Sequence, residues 1–182
     1  YESFRGVGGN DFIDGRGGFD RADYRWSTDA INASLAQGLV SAAGSSGIDT
    51  LRSIESIRGS MLADRFDATG FDFASYSMDP AGVTVTLSLS SQQARDGFGT
   101  IDTLVNIEGI IGSAFADSIT GDSNANRFEA GAGDDTLVGG AGSDTLAGEM
   151  GSDLADYQSA PAAISVDLDR GVASGGAGDD TL

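Results

Sequence analysis

The chain has 182 residues, enough for one sizeable domain, and its 28 acidic against 10 basic residues leave a net charge of -18. That balance disfavours nucleic acid and anionic membrane surfaces as partners, because phosphate binding needs a basic face, and no apolar run approaches the roughly 18 residues of a spanning helix, so membrane insertion is not expected. Cys and His are absent and all ten basic residues are Arg, which removes disulfides, thiolate chemistry and the usual zinc and iron sites and leaves oxygen ligands facing metal cations.

The opening, YESFRGVGGNDFIDGRGGFDRADY, shows no basic start followed by an apolar stretch and a small-residue cleavage site, so no removable signal peptide is expected from Tyr1 onward. It carries two imperfect nonapeptides, with Asp11 and Asp20 in an aspartate position and Ile13 and Ala22 two residues behind. A longer repeat starts here too. ESFRGVGGNDFI at 2–13 matches ESIRGSMLADRF at 55–66 and EGIIGSAFADSI at 108–119 at a constant offset of 53, which makes Glu2, Glu55 and Glu108 equivalent.

A second block recurs as GFDRADY at 18–24, GFDFASY at 70–76 and GSDLADY at 151–157. Each copy leads into an alternating segment, INASL from Ile31, VTVTL from Val83 and ISVDL from Ile164, with the period of a half-buried strand. Variable loops are expected over 36–46, 88–98 and 169–177, and the segment at 91–99, SQQARDGFG, reads as a surface loop open to partner specificity. Then come GIDTL, IDTL and GDDTL, ending at Leu51, Leu104 and Leu182. Tyr24, Tyr76 and Tyr157 recur with the modules, which predicts a repeated packing role. Trp26 does not recur and stays open to sugar stacking. Recurrence likewise argues that the Glu2, Glu55 and Glu108 series is structural and not a catalytic pair.

Residues 112–157 are the densest repeat. Asp117, Asn126, Asp135, Asp144 and Asp153 fall nine apart, with Ile119, Phe128, Leu137, Leu146 and Ala155 two residues behind each. Six Gly-rich residues ending in Asp turn tightly, because Gly reaches positive φ without steric cost, and a three-residue tail such as TLV or TLA extends and points one apolar side chain inward. Repeated, the unit winds into a coil and stacks carboxylates along an edge, where a hard cation with oxygen ligands relieves their repulsion. The best copy, GGAGSDTLA at 139–147, resembles the GGxGxDxUx nonapeptide of the RTX (haemolysin-type) calcium-binding β-roll, U being a large apolar residue.

The resemblance implies Ca2+ as the bound ion, two nonapeptides per coil, and turns n and n+2 sharing an ion. Transferred residue by residue, it pairs Asp117 with Asp135, Asn126 with Asp144, and Asp135 with Asp153. Asp11, Asp20 and Asp180 are further candidates that need partners from other turns. Asn126 is neutral, Asn124 and Phe115 stand at glycine positions, and Glu149 with Met150 break the pattern before Asp153.

The expected fold is all-β, a right-handed parallel solenoid, β-roll in the nonapeptides and broader β-helix elsewhere. It divides into a first module at 1–69, a second at 70–150 that includes the nonapeptide insertion, and a truncated third at 151–182. The phase of Leu182 against Tyr1 suggests a piece of a longer tandem array, or copies stacking head-to-tail. The expected function is a non-enzymatic, calcium-binding structural repeat segment of a secreted or cell-surface bacterial protein, of adhesin, surface-layer or filament type. The alternative is an accessory region of a secreted polysaccharide-modifying enzyme, lipase or protease.

Overall fold

The structure, a computed structural model, describes residues 2–6, 8–42, 47–88, 92–167 and 170–182. Parts of the three expected loops, at 43–46, 89–91 and 169, lie outside the described residues. All regular structure among those residues is β, and none of it is a helix able to cross a membrane.

The strands fall into two sheets. The first has the order β1 (Glu2–Phe4), β3 (Asp20–Asp23), β7 (Ser56–Arg58), β9 (Phe73–Ser75), β13 (Gly109–Ile111), β15 (Arg127–Glu129), β17 (Thr145–Ala147), β21 (Gly178–Thr181), β20 (Val172–Gly175), β19 (Ile164–Asp167). The second has the order β2 (Phe12–Asp14), β6 (Ile48–Arg52), β5 (Leu39–Ala42), β4 (Ile31–Ser34), β8 (Arg65–Asp67), β12 (Ile101–Val105), β11 (Gln93–Arg95), β10 (Thr84–Thr86), β14 (Ser118–Thr120), β16 (Thr136–Val138), β18 (Leu154–Ala155). Successive single strands alternate between the sheets, because a Gly-rich turn after every three-residue strand sends the chain across to the other side. The return distance is two nonapeptides: Ile110 pairs with Phe128 and Phe128 with Leu146 in one sheet, and Ile119 with Leu137 and Leu137 with Ala155 in the other, all in parallel register.

Parallel pairing is not universal. The expected loops at 36–46, 88–98 and 169–177 contain strands β5, β11 and β20, the middle members of three antiparallel meanders, β4–β5–β6, β10–β11–β12 and β19–β20–β21. The segment at 91–99 is therefore not simply a surface loop, since Ala94 in β11 is fully buried. Each of β5 and β11 buries one apolar residue, Val40 or Ala94, too short a signal for periodicity to register. The meanders also change sheet. Three single strands separate the first two meanders and both lie in the second sheet, whereas six separate the second from the third, which lies in the first sheet. A meander keeps the chain on one side and each passage to the next strand or meander moves it across, so an even number of intervening single strands, which makes an odd number of crossings, puts the next meander opposite.

The core lies between the sheets. Ala22, Ile57, Ala74, Ile110, Phe128 and Leu146 face Ile13, Ala33, Phe66, Val85, Leu104, Ile119 and Leu137, all buried. Alternation within each strand leaves the flanking residues outside, as in the buried-centre pattern of β14, β15, β16 and β17. Phe128→Ala should therefore cost about 3–5 kcal/mol of unfolding free energy. Phe12→Ala, at a ring 67% exposed, should change it by less than about 0.5 kcal/mol. Denaturant unfolding of both variants in calcium-containing buffer checks the contrast.

Candidate metal centre

Parallel register lines up the residue before each strand into columns. Along the edge of the first sheet the column runs Glu2, Asp20, Glu55, Asp72, Glu108, Asn126, Asp144, Asp180. Its recurring link is a backbone amide donating to the carboxylate one coil further on. Glu2 N donates to Asp20 Oδ1 at 2.8 Å, Asp20 N to Glu55 Oε2 at 2.9 Å, Asn126 N to Asp144 Oδ1 at 2.8 Å and Asp144 N to Asp180 Oδ1 at 3.0 Å. Along the second sheet the meanders cut the column into pieces. Asp11 N donates to Asp49 at 2.9 Å, Asp64 N to Asp102 at 2.8 Å, Asp117 N to Asp135 at 2.8 Å and Asp135 N to Asp153 at 3.1 Å.

The structure thus brings together Asp117 with Asp135, Asn126 with Asp144, and Asp135 with Asp153. Asp20 sits between Glu2 and Glu55, Asp11 beside Asp49, and Asp180 beyond Asp144. The second carboxylate oxygen separates these residues. Oδ2 of Asp20, Asp72, Asp135, Asp144 and Asp180 is buried with no protein hydrogen bond, a costly condition for an ionised group. Burial, with smaller contributions from Asp180 and Asp122, pushes Asp144 up to about 6 against the lowering effect of the Asn126 amide. Asp135 is raised mainly by burial, then by Asp117, Asp153 and Asp134, against the Asp117 amide.

No group of three acidic side chains converges on a point among the described residues. A hard cation here would take one or two carboxylates and complete its shell from turn carbonyls, a donor set suited to calcium. The turns allow close backbone approach. A Cβ on Gly140 would meet Asp122 O at 2.1 Å, and one on Gly151 would overlap Gly133 O, so adjacent turns stack backbone on backbone. Orphaned Oδ2 atoms beside these stacked, Gly-lined turns fit a calcium ion.

Sequence reading missed that Glu55 and Glu108 occupy the same column as the nonapeptide carboxylates; Glu108 accepts Asp72 N at 3.4 Å. The signal was the equivalence of the residue before each strand, concealed by the change from Asp to Glu. The recurring Tyr residues have a defined task. Tyr24 donates to Asp49 Oδ2 at 2.8 Å and Tyr76 to Asp102 Oδ2 at 3.3 Å, while burial and the Asp180 carboxylate raise Tyr157. Trp26 is 68% exposed, with the Arg25 guanidinium 5.4 Å from its ring, on a cleft of about 280 Å³ that Tyr24 and Asp49 also line.

Four stretches of the chain, residues 3–22, 110–137, 120–155 and 172–182, match the family model of the RTX calcium-binding nonapeptide repeat. A comparison with curated proteins gave no match.

Two outcomes follow from this geometry. Gly142 has φ 120° and its Cβ would lie 2.6 Å from Asn124 O, so Gly142→Ala should destabilise by more than about 1 kcal/mol. Gly17, with open space around it, should accept Ala with little change in melting temperature. Burial, then the charges of Asp64 and Asp96, pushes Asp102 up to about 8, against hydrogen bonds from the Asp64 amide and Tyr76. The folded chain therefore holds a proton there that the unfolded chain releases near pH 4. This contribution is fully present below that pH and is lost as pH rises toward 8, by up to about 1.4 kcal/mol per pH unit. Asp102→Asn should flatten the slope in chelator-treated buffer, read by denaturant unfolding across pH 4–8.

Proposed function

Because this chain carries RTX calcium-binding nonapeptide repeats, we propose that it is a structural segment that calcium stiffens outside the cell. RTX nonapeptide repeats bind Ca2+, and they make this stretch a calcium-binding repeat region of a bacterial protein. The observation that carries the proposal is the set of buried Oδ2 atoms with no protein partner, those of Asp20, Asp135 and Asp144 among them. The ligands are those carboxylates together with Asp153, Asp11 and Asp180, completed by turn carbonyls. Asp117 and Asn126 belong to the same columns.

The chain forms one right-handed solenoid with modules at 1–69, 70–150 and 151–182. Strand alternation between the sheets and the 18-residue return of the parallel register support this reading. RTX repeat proteins are typically secreted, which suits the ion economy. Extracellular calcium modules bind at about 10⁻⁴ to 10⁻³ M, affinities that cytoplasmic calcium does not satisfy. At ten times its dissociation constant each ion stabilises the folded state by roughly 1.4 kcal/mol. Two or three sites then supply about 3–4 kcal/mol, a large share of an ordinary domain's 5–15. The role is mechanical, as in an adhesin, surface-layer or filament component, with further repeats or copies adding head-to-tail at the sheet edges.

The test is a calcium titration of the purified chain in chelator-treated buffer, followed by far-UV circular dichroism, calorimetry and light scattering, with magnesium as control. Gain of β signal and heat at sub-millimolar to millimolar calcium, absent with magnesium, is expected, and scattering that rises in step would support head-to-tail assembly. A chain fully folded in chelator that takes up no calcium would overturn the proposal.

A further inference from the structure

Among the turns that end in Asp, those at 15–20, 130–135 and 139–144 differ from those at 59–64 and 112–117 in both backbone and side chains. In turns 15–20, 130–135 and 139–144 the residue two before the Asp is a glycine with positive φ, namely Gly18 at 124°, Gly133 at 130° and Gly142 at 120°. These are the turns whose Asp20, Asp135 and Asp144 keep a buried, unpartnered Oδ2. In turns 59–64 and 112–117 that residue is Leu62 or Phe115, and neither takes a left-handed conformation. A bulky L-residue pays a steric penalty at positive φ, so the chain follows another path.

On that path a serine closes the turn. Ser113 N donates to Asp117 Oδ2 at 2.7 Å and Ser113 Oγ to Asp117 Oδ1 at 2.7 Å, while Oγ accepts Phe115 N at 3.1 Å. Ser60 repeats this at Asp64 with 2.6, 2.8 and 3.1 Å, the last from Leu62 N. Both carboxylate oxygens are then satisfied, because Asp117 Oδ1 also accepts Val83 N and Asp64 Oδ1 also accepts Ile31 N, each at 2.7 Å. Turn 121–126 is closed differently. Asn126 Oδ1 accepts Asp122 N at 2.9 Å and its Nδ2 donates to Glu108 O at 3.4 Å, so a neutral amide stands where the open turns carry a charge.

We infer that turns 59–64, 112–117 and 121–126 are clamps that hold without a cation, and that the open turns alone take calcium. The inference rests on the calcium reading above and narrows it: Asp117 and Asn126 close their own turns. Position gives the clamps a use. Turn 130–135 stacks on 112–117, where a Gly131 Cβ would lie 2.4 Å from Ser113 O, and 139–144 stacks on 121–126, where a Gly142 Cβ would lie 2.6 Å from Asn124 O. Each edge of the nonapeptide run therefore begins on a turn already formed in the absence of calcium, and the ion-dependent coils wind onto that template.

Hydrogen exchange of the whole chain in chelator and in millimolar calcium tests this directly. The amides of Ser60, Ser113 and Asp122 should be protected in both conditions, and those of Asp135 and Asp144 only in calcium. Ser113→Ala should lower the melting temperature by about 3–10 °C in both buffers and leave the number of bound calcium ions unchanged, with Ser113→Thr restoring the loss. Asp135→Asn and Asp144→Asn should each reduce calcium uptake and lower the melting temperature only when calcium is present. Free exchange of the Ser60 and Ser113 amides in chelator, or loss of a bound calcium in Ser113→Ala, would overturn the inference. These readings stay informative if the alanine variant fails to fold, since the exchange experiment uses the unaltered chain. Absence of calcium uptake by the unaltered chain would instead overturn the calcium reading, with the chelator arm still deciding whether the serines clamp.

Discussion

The link on which the structure depends runs from a backbone amide to the carboxylate one coil further on. It pins the register of parallel strands only three residues long, which hydrogen bonding along so short a ladder would specify weakly. It also concentrates charge, because carboxylates repeated at a strand spacing of about 4.8 Å repel by roughly 3 kcal/mol per ionised pair at an intermediate dielectric. The contact that aligns the coils is therefore the one that resists their stacking. Relief comes in several forms: a tyrosine hydroxyl at Asp49 and Asp102, a serine at Asp64 and Asp117, and an amide at Asn126, while Asp20, Asp135 and Asp144 keep an orphaned oxygen that an oxygen-seeking cation would suit.

Seen this way, modules and nonapeptides are two solutions to one problem. In the first two meanders, which lie in the second sheet, Asp49 and Asp102 meet Tyr24 and Tyr76 from within. The nonapeptides at 112–155 carry no tyrosine, and their glycines let the backbones of neighbouring turns approach closely.

Much of this was legible in the residues. The nine-residue spacing of Asp117, Asn126, Asp135, Asp144 and Asp153 identified both the turns and the inward positions, because a turn that needs glycine and a strand that buries one side chain each leave a local mark. The columns were only partly legible. Glu55 and Glu108 share one with Asp20 and Asp144, but the equivalence exists only after register is set, and a Glu reaches the neighbouring amide by a longer side chain. The meander strands at Val40 and Ala94 were concealed for a related reason, since one buried residue is too little to mark a period.

Local chemistry in the chain was sufficient for the all-β character and for oxygen as the ligand atom, since turn formation, apolar alternation and the lack of His and Cys are properties of neighbouring residues, whereas the two-nonapeptide return came with the family resemblance. Which carboxylate oxygen is satisfied, and by what, depended on residues brought together from different coils. Asp49 meets Tyr24 across 25 positions and Asp144 meets Asp180 across 36. The sheet that receives each meander was likewise a matter of counting crossings of the folded chain. These outcomes are non-local: they follow from how many turns separate two residues, and no stretch short enough to read by itself contains that number.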